Sequence, residues 1–269
     1  MKEILHKTYK FSNSWTGTII IVLFVIFFIA QAFRIPSGSM KDSLLVGDHL
    51  FAKKFAYGVP MPHIPFLEMS VMPWSDDLRL IDGDTPARGD IVIFRYPHNI
   101  KMHYVKRCVA IPGDELFVLD KNLFIHHKEG DEWIKENFYG YEVMNFAGKL
   151  WVKNPYMKDH PGIHHDEKII NDGKYPAQIF NVAPLRVDAD NYFMMGDNRD
   201  HSNDSRFWGS VPYDNVEGTP WFIYFSVDDN WEIRWDRMGK TPTDLEAPLH
   251  LDLAKEERLR TDKDDHGIY

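Results

Sequence analysis

The stretch His103-Tyr104-Val105-Lys106-Arg107-Cys108-Val109-Ala110-Ile111 reads as a strand, ended by Pro112-Gly113-Asp114. Period two sets Tyr104, Lys106, Cys108 and Ala110 on one face and Arg107 on the other. A lysine among largely apolar same-face neighbours is the unusual feature. Burial disfavours an ammonium and lowers its pKa, which would leave an amine able to accept a proton near neutral pH. The plain alternative is a lysine that snorkels to solvent at a strand edge. Arg107, on the opposite face, reads as structural.

More strands flank this one. Residues 91–96 (IVIFRY) form a buried strand between the turn Arg88-Gly89-Asp90 and Pro97. Residues 49–55 (HLFAKKF), 192–195 and 221–227 read as further strands, and Trp231, Ile233 and Trp235 alternate with charged residues as a half-buried strand would. Residues 116–119 and 123–126 flank Asp120-Lys121-Asn122 as a hairpin. Residues 57–84 read as a long loop or ribbon with exposed apolar side chains at Met61, Ile64, Phe66, Met69, Met72 and Trp74. The sum is a mainly β protein. Its parts are a main β domain at 34–114 and 191–240, an inserted β and loop subdomain at 115–190, and a charged tail at 241–269 in which residues 245–260 suit an amphipathic helix.

Ahead of these strands runs a strongly apolar segment. Residues 19–30 are unbroken apolar, and residues 15–33 as a helix would measure about 28 Å, enough to span a bilayer. Trp15 suits the interface, and Lys2, Lys7 and Lys10 against Glu3 leave residues 1–14 in the cytoplasm. The same basic start, apolar core and Ala30-Gln31-Ala32 also fit a cleavable signal peptide. The net charge of −9 argues against a nucleic-acid binder, and a single cysteine, Cys108, excludes an intrachain disulfide.

Just past the apolar run comes Arg34-Ile35-Pro36-Ser37-Gly38-Ser39-Met40, a turn with two hydroxyls. Ser39 is a candidate nucleophile if Lys106 is its base, since Ser-Lys is a known variant of the nucleophile–base pair. Ser37 and the Ser39 N–H could then hold an oxyanion. Lys41, beside Asp42, is a weaker base because that setting keeps it charged. Residues 196–206 (GDNRDHSNDSR) form a dense polar loop of the kind that orients neighbours on a rigid scaffold. It lacks the glycine and the terminal glutamate of an EF-hand. His201 ranks below Lys106 as a base, and His126-His127, His160, His164 and His165 read as surface histidines rather than metal ligands.

Four blocks in this order resemble bacterial signal peptidase I: Pro36-Ser37-Gly38-Ser39-Met40, Arg88-Gly89-Asp90-Ile91-Val92, Tyr104-Val105-Lys106-Arg107, and Gly196-Asp197-Asn198-Arg199 through Ser205-Arg206. The resemblance implies a membrane-bound serine endopeptidase that removes signal peptides after small residues at −1 and −3. Ser39 would be the nucleophile, Lys106 the base, Ser37 and Ser39 N–H the oxyanion donors, and Ser202 the group that orients the lysine. Arg107, Asp197, Asp204 and Arg206 would brace the site. Ile35, Pro36, Tyr104 and Val105 would contact the substrate. The resemblance implies no metal and no cofactor, a monomer, signal peptides and the lipid bilayer as partners, and a single-pass protein of the bacterial inner membrane with its catalytic domain outside. It also favours a retained anchor over cleavage, with self-processing at Ala32 kept open.

The chain departs from the family at Asp42 and Ser43, where proline and threonine are common, and in having one span where several relatives have two. Two other readings stand beside it. One is a self-cleaving Ser-Lys protein like the repressors of the SOS response. The other is a non-catalytic anchored β domain that binds exported proteins.

Overall fold

The stretch that holds Lys106 lies near the middle of one large antiparallel sheet. The computed structural model describes residues 6, 9–61, 63–64, 69–70 and 79–246. In chain order its strands are β1 (Ala30–Arg34), β2 (Asp48–Lys53), β3 (Gly58–Pro60), β4 (His63–Ile64), β5 (Met69–Ser70), β6 (Arg79–Asp82), β7 (Ile91–Tyr96) and β8 (Asn99–Ala110). There follow β9 (Glu115–Leu119), β10 (Asn122–His126), β11 (Val143–Phe146), β12 (Lys149–Lys153), β13 (Val182–Arg186), β14 (Asn191–Met195), β15 (Val211–Pro212) and β16 (Val216–Ser226). The main sheet has the order β1-β2-β16-β7-β8-β14-β15.

Burial follows the side-chain period. Along β2, Asp48, Leu50 and Ala52 point inward and alternate with half-buried residues. β7 is buried from Ile91 to Arg95, as its unbroken apolar run anticipates. β8 is exposed from Asn99 to Met102 and buried from Lys106 onward. On one side β8 pairs with β7 along its length, Val92 opposite Lys106. On the other, β14 joins only from Arg107 to Ala110. Among the described residues, the second edge of β8 from Asn99 to Lys106 therefore has no ladder partner.

The insertion builds its own sheet, in the order β11-β12-β10-β9-β13. The β9–β10 hairpin turns on Asp120 and Lys121, both at positive φ (47° and 68°), the geometry that matches the twist of the paired strands. This sheet does not stand apart. Leu116, Val118, Leu123, Ile125, Tyr156 and Ile163 of the insertion share one core with Val109, Phe193 and Met195 of the main sheet.

Several elements differ from the sequence reading. The apolar run is α-helical over Trp15–Phe24 (α1), where Ser14 caps the first turn by accepting from Gly17 N, and π-helical over Val25–Ile29. Residues 30–33 then leave the helix and pair with β2, Ala32 opposite Phe51, so the helix expected over 15–33 ends at Ile29. The chain turns extended there because β2 offers open ladder positions and Ile35 plugs the main core. Among the described residues no helix is long and apolar enough to cross a membrane.

Residues 231–235 are not a strand. Trp231 sits at φ 65°, 85% exposed, in a turn closed by the Asp228 carboxylate, which accepts from Asn230 N and Glu232 N. Met61 is buried rather than exposed, and Phe66, Met72 and Trp74 lie outside the described residues. The start of the expected tail is folded: Pro242–Leu245 is a capped helical turn whose Leu245 is fully buried against Ile35, Met40 and Leu44. The rest of the helix expected over 245–260 lies outside the described residues.

Candidate active site

After β1 the backbone stays bonded to β2 through Ile35, whose N–H donates to Asp48 O at 2.8 Å. Pro36 is exposed, and Gly38–Met40 then closes a single 3-10 turn that buries Ser39 and Met40. Polar groups of the 196–206 loop grip this turn. Asn198 N donates to Ser39 O and Asn198 Nδ2 to Gly38 O, each at 3.1 Å. The Ser37 and Ser39 hydroxyls lie 3.5 Å apart.

Lys106 reaches this turn from β8. Its side chain is 4% exposed, lies over the Tyr104 ring at 5.3 Å, and donates to Ser39 Oγ at 2.7 Å and to Val105 O at 3.0 Å. The strand phase read from sequence is the reason: Tyr104 and Lys106 share a face, and three aromatic neighbours, Phe94, Tyr96 and Trp208, pack against Tyr104. Burial pulls the lysine pKa down from 10.5 to about 8. The carboxylates of Asp204 and Asp197 oppose that shift and the Arg206 guanidinium assists it. Ile35 is buried in the core beside the half-buried Val105, on the other face of the sheet from Cys108.

Behind the pair lies a network of buried ions. Arg107 donates to Asp197 through Nε (2.8 Å) and Nη2 (2.6 Å), to Gly89 O through Nη1 (2.7 Å), and to Glu246 through Nη2. These carboxylates hold its guanidinium charged in spite of burial. Asp204 accepts from Gly196 N (3.0 Å) and from Arg206 Nε and Nη2 (2.8 and 2.9 Å), and its pKa is held low mainly by Arg206 against the opposing effect of burial. Gly196 must be glycine. A Cβ there would stand 2.3 Å from Ser202 Oγ and 2.5 Å from Ser39 O. The Ser202 hydroxyl is buried and its interaction helps hold the Asp204 carboxyl low, while the lysine amine is bonded to Ser39 and to Val105 rather than to Ser202. Arg199 is 1% exposed, and desolvation lowers its pKa to about 10.

The family description for signal peptidase, peptidase S26, matches residues 9–225. The chain belongs to that family. Signal peptidase I of Helicobacter pylori is 41% identical over 94% of this chain and 99% of its own. Signal peptidase I of Pseudomonas fluorescens is 34% identical over 81% of this chain and 72% of its own. A solved signal peptidase I from Enterococcus faecalis aligns with 51% of this chain and 97% of its own, at 23% identity and a TM-score of 0.32.

Against that family's common pattern, the two departures in this signal peptidase make specific contacts. Asp42 sits at φ 79°, which proline cannot adopt, and its carboxylate meets His164 Nδ1 at 3.3 Å. Ser43 Oγ lies 2.5 Å from Asp197 Oδ2. The histidines of the insertion are correspondingly half-buried, and His127 fully buried, rather than free on the surface. His164 N donates to Asp197 O, His165 Nδ1 lies 3.2 Å from Asp200, and His160 Nδ1 lies 2.8 Å from Glu246. Burial holds the His164 and His165 imidazoles below their ordinary pKa. His201 pairs with Asp166, away from Ser39.

Sequence reasoning missed Glu246, which it placed in an amphipathic helix of the charged tail. A lone glutamate past a Thr-Pro-Thr-Asp turn carries no local signal of a partner 139 residues earlier. One further cluster could suggest a metal: ligand atoms of Asp114, His127 and Glu129 lie within 4.8 Å of one another. Arg88 already fills that role, donating to Asp114 at 2.6 and 2.7 Å and to Glu129 at 2.8 Å, while His127 stacks on Phe138.

Proposed function

We propose that this signal peptidase cleaves signal peptides from exported preproteins with Ser39 as nucleophile and Lys106 as general base. The observation that carries the reading is the 2.7 Å between Lys106 Nζ and Ser39 Oγ, made by a buried amine whose pKa lies near 8. Such an amine is neutral in a useful fraction near neutral pH and accepts a proton readily. Neutral Lys106 takes the hydroxyl proton as Ser39 Oγ bonds to the scissile carbonyl carbon. The Ser37 hydroxyl and the Ser39 N–H donate to the oxyanion that forms. Collapse releases the mature chain's new amino group, which takes the proton from the Lys106 ammonium. Ser39 is left acylated by the signal peptide. Water then gives a proton to Lys106 and attacks the ester carbon, and the ammonium returns a proton to Ser39 Oγ as the signal peptide leaves.

Arg107, Asp197, Asp204 and Arg206 brace this pair. Ser202, buried beside Gly196, orients the amine when it turns from Ser39. The substrate adds as an extended strand. Two strand edges support this: that of β1 up to Ile35, and that of β8 between Asn99 and Lys106. The Phe33 and His103 rings, 5.2 Å apart, join them. Shallow recesses beside Ile35, Pro36, Tyr104 and Val105 take small side chains at −1 and −3. The exposed apolar side chains of α1, with Trp15 at its start, suit a bilayer anchor that holds a monomer on the outer side of the inner membrane.

The test incubates the purified full chain in detergent with a preprotein carrying alanine at −1 and −3. Cleavage by wild type, abolished in Ser39→Ala and in folded Lys106→Ala, is expected. Equal cleavage by wild type and Lys106→Ala would remove the base. No cleavage by any form would favour a non-catalytic binding domain.

A further inference from the structure

Two stretches far apart in sequence must meet within a few tenths of an ångström for Lys106 to serve Ser39. Lys106 rides on β8 and Ser39 on a turn between β1 and β2. One group that ties them is the carboxylate of Glu246, 8% exposed, at the end of the capped turn Pro242–Leu245. Its Oε1 accepts from Arg107 Nη2, one residue past Lys106, and lies 3.2 Å from the hydroxyl of Ser43, four residues past Ser39. Its Oε2 lies 2.8 Å from His160 Nδ1 of the insertion. Leu245, fully buried against Met40 and Leu44, fixes the approach of this carboxylate to the serine turn. One side chain thus touches the strand of the lysine, the turn of the serine and the insertion.

We propose that Glu246 is a positioning residue for cleavage, holding the Lys106 strand and the Ser39 turn in register from the C-terminal segment. The proposal rests on the Ser39–Lys106 reading of the site. Asp197 makes the same two contacts, to Arg107 Nη2 and Ser43, so two carboxylates brace the register. Remove one brace and the fold keeps the other, while the serine turn gains room to shift. A misplacement on the scale of 1 Å is enough to cost a reaction about a hundredfold in rate. The role concerns geometry at the moment of attack, not substrate affinity, so kcat carries the loss and KM does not.

The experiment compares full-length wild type, Glu246→Ala and Glu246→Gln in the preprotein assay, with urea unfolding of each. Glu246→Ala is expected to lose about tenfold to a hundredfold in kcat with KM within twofold. Glu246→Gln, whose amide oxygen still accepts from Arg107 and Ser43, is expected to recover most of that loss. An unchanged kcat in folded Glu246→Ala overturns the proposal, and so does a loss confined to KM. If wild type itself fails to cleave, the reading of the site falls, and amide exchange then decides the positioning role. The N–H groups of Ser43 and Leu44, both bonded to Met40 O, report the serine turn without any substrate. Faster exchange there in Glu246→Ala, with β7 unchanged, upholds it; unchanged exchange overturns it.

Discussion

At the scale of residues, Lys106 is costly to the fold. Its folded pKa, about 8, lies below the unfolded 10.5, so the unfolded chain holds more protons between those values. Below about pH 8 the full penalty applies, on the order of 3 kcal/mol. It fades as pH rises and is gone above about 10.5. Lys106→Met keeps the shape and removes the charge, at the loss of two hydrogen bonds worth about 1 kcal/mol each. The variant should therefore be inactive yet more stable than wild type at pH 7, with the gap closed or reversed at pH 10. Urea unfolding at the two pH values measures this, and a less stable variant at pH 7 would contradict it. Catalysis carries the opposite sign, because activity should fall as pH drops through about 8 and the amine takes a proton. The lysine was legible because period two and apolar neighbours are local properties. Glu246, His160 and His164 were not, because their partners are set by how distant segments pack.

At the scale of elements, the main sheet carries its own buried charges. Glu217 of β16 is 3% exposed and meets Arg95 of β7 at 2.6 Å and His103 of β8 at 3.1 Å. Although burial pushes its pKa upward, His103, Arg95 and Lys54 together bring it down to about 2, from 4.5. A depressed carboxylate stabilises the fold above its unfolded pKa, and that contribution is lost as pH falls from about 4.5 through 2. Its size is of order 3 kcal/mol. Glu217→Gln should unfold at lower urea at pH 7 and match wild type more closely near pH 3. An equal destabilisation at both pH values would mean that packing, not charge, is what the substitution removes. These strands were read correctly where apolar residues run unbroken, as in β7, or alternate, as in β2. The reading failed at the N-terminal run, where an apolar stretch fits helix and strand alike and β2 decides where the helix stops. It failed again at 231–235, where Trp231 sits on a turn closed by Asp228 and Trp235 opens a 3-10 turn.

At the scale of the whole molecule, the insertion behaves as part of the catalytic body. Its histidines read as surface residues, because side chains that clamp a neighbouring loop are indistinguishable in sequence from side chains that face water. The packing says otherwise. Ile163 is 3% exposed and sits in the core shared with Met195, at the end of the strand that leads into Gly196. The next residue, His164, bonds backbone to backbone with Asp197 and Arg199. A cavity at Ile163 therefore opens under the loop that grips Ser39, not in a detached lobe. Ile163→Ala should cost about 2–5 kcal/mol. The amides of β10 and of β14 should lose exchange protection together, since one core serves both sheets. A separate lobe would give a different pattern, with β9 and β10 deprotected while β14 and β8 keep the wild-type rates. Cleavage should track the main sheet in either case, so a variant with deprotected β10, intact β14 and full kcat would show that the insertion is dispensable to the site.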